Sequence, residues 1–151
     1  MAVELDEIIY AALTADSALS SLKGGIHSTC IEVPPTDADN TQLPYIIITD
    51  DPFQNGQGTK DNVWESYVDS CQAGVEIAAE SPKEVKRLRR LVRKAVATYI
   101  ETTALENRPY LTSLTNEGIA WDWTKPCYYD TLHYQCDMNV NLNEENDEQE
   151  D

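Results

Sequence analysis

Long apolar runs, paired cysteines and positive charge are scarce in this sequence, and each shortage removes a class of protein. No run of about 18 apolar residues occurs, so no segment is suited to cross a bilayer as a helix. Met-Ala-Val-Glu at the start runs straight into acids, which is not the pattern of a secretory signal, and synthesis in the cytoplasm is expected. The four cysteines, Cys30, Cys71, Cys127 and Cys136, form no C-x-x-C pair, the pattern of reduced, individually packed thiols. Zinc requires closer ligand pairs, and His27 and His133 each stand alone, so no metal is expected. Only 11 Lys and Arg face 27 Asp and Glu, a net charge of -16 that argues against general binding to nucleic acid, whose phosphates need a cationic surface.

Catalytic patterns are missing as well. No Gly-x-Ser-x-Gly turn presents a nucleophile, and turn formation beside Pro52 accounts for the Asp50-Asp51 pair. The Gly56-Gln57-Gly58 stretch has neither a Lys-Ser/Thr pair nor a helix after it, so it lacks the geometry that cradles phosphate. The expectation is a protein with no catalytic residues, no cofactor and no metal.

What is present is one domain's worth of patterned chain: 151 residues, 41% of them hydrophobic. The organising stretch runs from Tyr67 to Val140. Within it, Ser81 as N-cap, Pro82 at the first helical position and Glu84 three residues after the cap predict a helix from about Pro82 to Glu101. Val85, Leu88, Val92, Ala95, Val96 and Tyr99 recur at three- and four-residue spacing and form its buried stripe. The other face holds Lys83, Lys86, Arg87, Arg89, Arg90, Arg93 and Lys94, seven of the 11 cations, so most of the positive charge sits on one helix.

Before that helix, Leu5, Ile8, Ile9, Ala12 and Leu13 predict an amphipathic helix over about 3–13, and Asp16 caps a short second helix over 17–22 that ends at Gly24-Gly25. Strands are predicted over 26–33, over 43–49 as a run buried on both faces, and over 64–79. The polar, glycine-containing stretch from Phe53 to Asn62 is expected to be an exposed arm. Residues 102–115, which include Pro109, read as a connection, followed by a strand over 118–123 and a turn at Thr124, Lys125 and Pro126. The last strand alternates clearly: Tyr128, Leu132, Tyr134, Cys136, Met138, Val140 and Leu142 fall on even positions and polar residues on odd ones, as in a strand solvated on one side. The sum is an α+β single domain over 1–143, with a mainly antiparallel sheet of about five strands packed against an N-terminal helix and one long basic amphipathic helix. Residues 144–151 carry six acids and no apolar side chain and form an acidic C-terminal tail.

The features left over by folding point to contacts between subunits. The cationic face of the helix, Lys83, Lys86, Arg87, Arg90, Arg93 and Lys94, suits an acidic surface on a neighbouring copy, for which the tail from Glu144 and Glu145 onward is a candidate. The bland alternative is a solvated face that pairs with Glu80 and Glu84. Phe53, Gln54, Asn55, Gly56, Gln57 and Gly58 of the arm are candidates to embrace a neighbour, and Trp121 and Trp123 beside the hairpin turn could cap an interface.

The order of elements resembles the tail-completion or tail-terminator proteins of phages and prophages. The resemblance is carried by Leu13-Thr14-Ala15-Asp16-Ser17-Ala18-Leu19, Gly24-Gly25-Ile26 and Leu43-Pro44-Tyr45-Ile46, and continues through Trp64 and the strand Gln72–Ala79 into the Lys/Arg-rich helix. It implies a virion subunit made in the host cytoplasm that forms a homo-oligomer ring, commonly of six copies, at the head-proximal end of the tail tube. Such a ring stops tube growth and offers a docking surface to the neck, and the charge of -16 would suit a lumen through which genomic DNA passes without specific binding. Neither a membrane nor catalysis is involved. The acidic C-terminus and the long 102–115 connection depart from that pattern, which leaves open a neck ring of twelve copies beside the portal of a short-tailed virion. A different class, a small acidic DNA mimic that inhibits a DNA-handling enzyme, is supported by charge alone and opposed by the seven clustered cations.

Overall fold

The computed structural model describes residues 4–28, 42–55, 66–105 and 108–141, of which 52–55, 66–69 and 139–141 are described by their backbone. It contains α1 (Leu5–Ala15), α2 (Ser17–Ser20), β1 (Ile26–Ser28), β2 (Tyr45–Asn55), β3 (Ser66–Ala79), α3 (Pro82–Thr102), β4 (Tyr110–Asn116), β5 (Ala120–Asp122) and β6 (Cys127–Asn141). The strands form one six-stranded sheet in the order β1-β2-β3-β6-β4, with β5 also paired to β6. Every pairing is antiparallel except β1 with β2. The fold is a single α+β domain in which α1 and α3 lie on one face of the sheet.

Helix boundaries follow local chemistry. The Asp16 carboxylate accepts from the Ala18 and Leu19 N–H groups and starts α2, and Ser81 Oγ accepts from the Glu84 N–H at 3.2 Å to start α3. The predicted stripes are the ones that bury: Leu5, Ile8, Ile9, Ala12 and Leu13 of α1, and Val85, Leu88, Val92, Ala95 and Val96 of α3. They meet Ile46 and Ile48 of β2, Ala73, Val75 and Ile77 of β3, and Leu132, Tyr134, Cys136 and Met138 of β6. The even-numbered alternation of β6 is therefore its helix-covered side, while Thr131, His133 and Gln135 on the odd side are only partly buried. On the uncovered face Tyr45, Ile47, Ala78 and Cys127 form a smaller cluster, so β2 is buried on both faces as its unbroken apolar run predicts.

Two segments differ from expectation, and a third is described only in part. β2 does not stop at Asp50-Asp51-Pro52 but continues to Asn55, because an irregularity between Asp51 and Gln54 lets the chain pass Pro52 and resume pairing as Gln54 with Ser70 and Asn55 with Asp69. Phe53, Gln54 and Asn55 are thus strand rather than arm. The 102–115 segment is not only a connection: Tyr110–Asn116 is an edge strand on β6, with a register shift between Leu111 and Ser113. β1 is described as only three residues, and the rest of the predicted strand over 26–33 lies outside the described residues.

Cys127 and Cys136 are free thiols, and Cys71 and Cys136 face each other across β3 and β6. Burial, together with Cys71 and Asp137 nearby, pushes the Cys136 thiol up to about 11, well away from a reactive thiolate. Cys30 lies outside the described residues.

Candidate functional site

The site lies along the seam where α3 faces the β4–β6 edge of the sheet. Near the middle of α3 the seam is closed by a polar anchor. Asp130 sits at an inward position of β6 with 0% of its surface exposed, and Arg89 Nη1 donates to its Oδ2 at 2.7 Å. Asn116 Nδ2 of β4 donates to the same oxygen at 2.9 Å, and the Gly118 N–H donates to Oδ1 at 2.9 Å. Burial alone would raise the Asp130 pKa; the hydrogen bonds from Asn116, Arg89 and Gly118 outweigh it and hold the carboxyl below its ordinary range. A helix, an edge strand and the loop before β5 are thereby tied to one buried carboxylate.

A turn farther along α3 the seam opens into a groove of about 500 Å³. Its floor is Tyr134 and Cys136 of β6, one wall is Ala97 and Ile100 of α3, and the other is Leu111 and Leu114 of β4. Arg90, Arg93 and Lys94 form a cationic rim. Beneath it the Tyr134 hydroxyl is buried without a hydrogen-bond partner among the described residues, and burial pushes its pKa up despite the nearby Arg93. Nothing in this lining resembles a nucleophile with its base. What the groove offers is apolar area edged by three cations and one acid, Glu101, suited to an aromatic or aliphatic anchor flanked by acids.

The cations expected to act as one face divide into separate roles. Lys83 and Lys86 are exposed. Arg87 is engaged by Glu84, with Nη2 to Oε1 at 2.6 Å and Nε to Oε2 at 3.0 Å, and the hydrogen bond holds the Glu84 carboxyl down. Arg89 is structural. No carboxylate pairs with Arg90, Arg93 or Lys94 among the described residues, and these three line the groove. Trp121 and Trp123 stand at the β5–β6 turn, 37% and 86% exposed. Phe53, Gln54 and Asn55 are far from this seam in the strand order, while Gly56, Gln57, Gly58, Glu144 and Glu145 lie outside the described residues. His133 follows the expectation of a surface residue: its Nε2 lies 2.9 Å from Glu117 Oε2.

Two parts of the site escaped sequence reasoning. Tyr110 and Leu111 were hidden in the presumed connection, although Tyr-Leu-Thr-Ser-Leu-Thr after Pro109 has the aromatic and β-branched content of an edge strand. Asp130 was visible as the one acid among the inward even positions of β6, where a buried charge demands a partner.

No protein-family profile matches the chain, and no curated protein matches it. Among solved structures, the chain is similar to one from a virion of a native gene transfer agent particle, with a TM-score of 0.50 and 12% sequence identity over 91% of this chain and 96% of that one. At that identity the likeness speaks for a shared fold across nearly the whole length of both chains.

Proposed function

We propose that this protein is a structural subunit of a phage or phage-like virion, acting in a ring at the head–tail neck or at the head-proximal end of the tail. The observation that carries this reading is the end-to-end fold likeness to a chain of a gene transfer agent virion, which fits the order of elements that resembles tail-terminator proteins. The groove and the exposed aromatics add surfaces suited to subunit contacts and offer no arrangement suited to catalysis. A charge of -16 suits a channel component, because like charge keeps DNA phosphates from sticking as the genome passes. The clustered cations of α3 count against the acidic DNA mimic, which needs an unbroken acidic face.

Deletion of the gene in the replicating phage or inducible element provides the test. Unjoined heads and tails, or tails of uncontrolled length, are expected by electron microscopy, together with the protein's presence in purified parental particles by mass spectrometry. Intact, infective or transfer-competent particles made without the gene would overturn the reading.

A further inference from the structure

We infer that Trp123 of one copy inserts into the α3–β4 groove of the next, making a head-to-tail joint between identical chains; this deepens the ring reading above and rests on it. The first observation is where exposed apolar bulk occurs. Among the described residues the exposed large hydrophobic side chains are Tyr110, Leu111, Trp121 and Trp123. Two of them line the groove and two form the aromatic turn, so among the described residues the exposed apolar bulk falls at one hole and one knob.

The knob is built to hold its shape. Tyr128 packs against the main core, Trp121 meets it edge-to-face with ring centroids 4.8 Å apart, and Trp123 meets Trp121 in the same manner at 5.9 Å. The Asp122 carboxylate fixes the turn, Oδ1 accepting from the Thr124 N–H at 2.9 Å and the Thr124 hydroxyl at 2.7 Å. An aromatic side chain supported in this way loses little conformational entropy on docking, and tryptophan in an apolar pocket is a common energetic centre of interfaces.

Charge supports the pairing. Asp122, which is partly exposed, is held below its ordinary pKa first by the Thr124 hydroxyl bond and is ionised at neutral pH. It would arrive with Trp123 at a groove edge where Arg90, Arg93 and Lys94 outnumber the one acid, Glu101, and where none of the three cations is paired with a carboxylate among the described residues. Lys125 next to the turn lies over the Tyr45 ring at 6.0 Å, toward the uncovered face of the sheet.

The knob cannot fill its own hole. Tyr128 and the groove-floor residues Tyr134 and Cys136 are six and eight residues apart on one strand, which at about 3.4 Å per residue separates the patches by roughly 20–27 Å. Because the two patches are different surfaces, their contact is heterologous and repeats from copy to copy, closing into a ring or growing as a filament.

The test uses two variants at exposed positions of the full chain: Trp123→Ala removes the knob, and Ala97→Glu blocks the hole while preserving a good helix former. By sedimentation velocity the parent is expected to form concentration-dependent oligomers, and each variant to be weakened at least about tenfold. Mixed one to one, the variants should form a dimer and nothing larger, since the pair has only one intact knob and one intact hole. A Trp123→Ala chain that assembles like the parent, a mixture that stays monomeric, or a parent that is monomeric at the highest attainable concentration would each overturn the joint. Packaging of Trp123→Ala into normal particles would sink the joint and leave the virion reading standing. Absence of the parent from particles would sink the virion reading while the mixing result still judged the joint.

Discussion

The two stretches of the α3–β4 seam are built from the same helix, strand and sheet edge, yet one is closed by polar groups and the other is left open and apolar. At the closed stretch, Arg89, Asn116 and Gly118 all satisfy a single buried carboxylate. At the open stretch, Ala97 and Ile100 face Leu111 and Leu114 across a gap. A buried ion with three directed bonds sets the position of α3 on the sheet but, with none of its surface exposed, presents nothing to a partner. Unfilled apolar surface does the reverse, contributing nothing to the isolated chain and leaving area that a partner can remove from water.

Removing the anchor should have the largest effect. Asp130→Ala leaves Arg89 without its partner and strips Asn116 and the Gly118 N–H of their acceptor, so a loss of about 3 kcal/mol is expected by urea denaturation. The sign with pH follows from the lowered folded-state pKa of Asp130. Its stabilisation is fully present above the unfolded-state pKa near 3.8 and is lost as pH falls through the lower folded value. The stability gap between parent and Asp130→Asn should therefore be widest near neutral pH and narrow on acidification; a gap constant down to strongly acid pH would mean that the charge of Asp130 contributes nothing.

A smaller break at the same stretch comes from Gly118. Its φ of 101° lies in the region that side chains disfavour, and nothing within 4 Å would meet an added Cβ. The cost of Gly118→Ala is then purely conformational, about 1–2 kcal/mol, and it should appear as a lowered Tm with the Asp130 bonds retained. A larger loss would show that the loop shifts and takes the Asp130 hydrogen bond with it.

Legibility in the sequence followed how local each cause is. Caps at Asp16 and Ser81 and the stripes of α1 and α3 depend on neighbours within a turn or two, and they fall where the pattern puts them. The alternation of β6 likewise identified the covered side of the sheet. Pro52 misled because a proline ends a regular strand unless a bulge absorbs it, and the bulge depends on pairing with β3. Edge strand β4 was missed since it has one partner and little buried surface to impose a strict pattern. Sequence placed the cations on one helix and the tryptophans beside the hairpin turn but could not say which cations are consumed internally. Arg89 and Arg90 are identical in type and adjacent in the chain, and only the 41-residue reach from Arg89 to Asp130 separates them.

That pair supplies the finest test of the comparison. Arg89→Ala should destabilise the chain by about 2 kcal/mol, because it leaves a fully buried carboxylate with fewer donors. Arg90→Ala, at an exposed position with no carboxylate partner among the described residues, should stay within about 0.5 kcal/mol of the parent. For self-association measured by sedimentation the order should reverse: Arg90→Ala weakens the oligomer and makes what remains less sensitive to salt, since one rim charge is gone. Arg89→Ala, once corrected for its unfolded fraction, leaves that salt dependence unchanged, because its guanidinium is occupied by Asp130 and is not part of the rim. If both variants changed stability alike, the division of the seam into an anchor and an open groove would fail at its boundary.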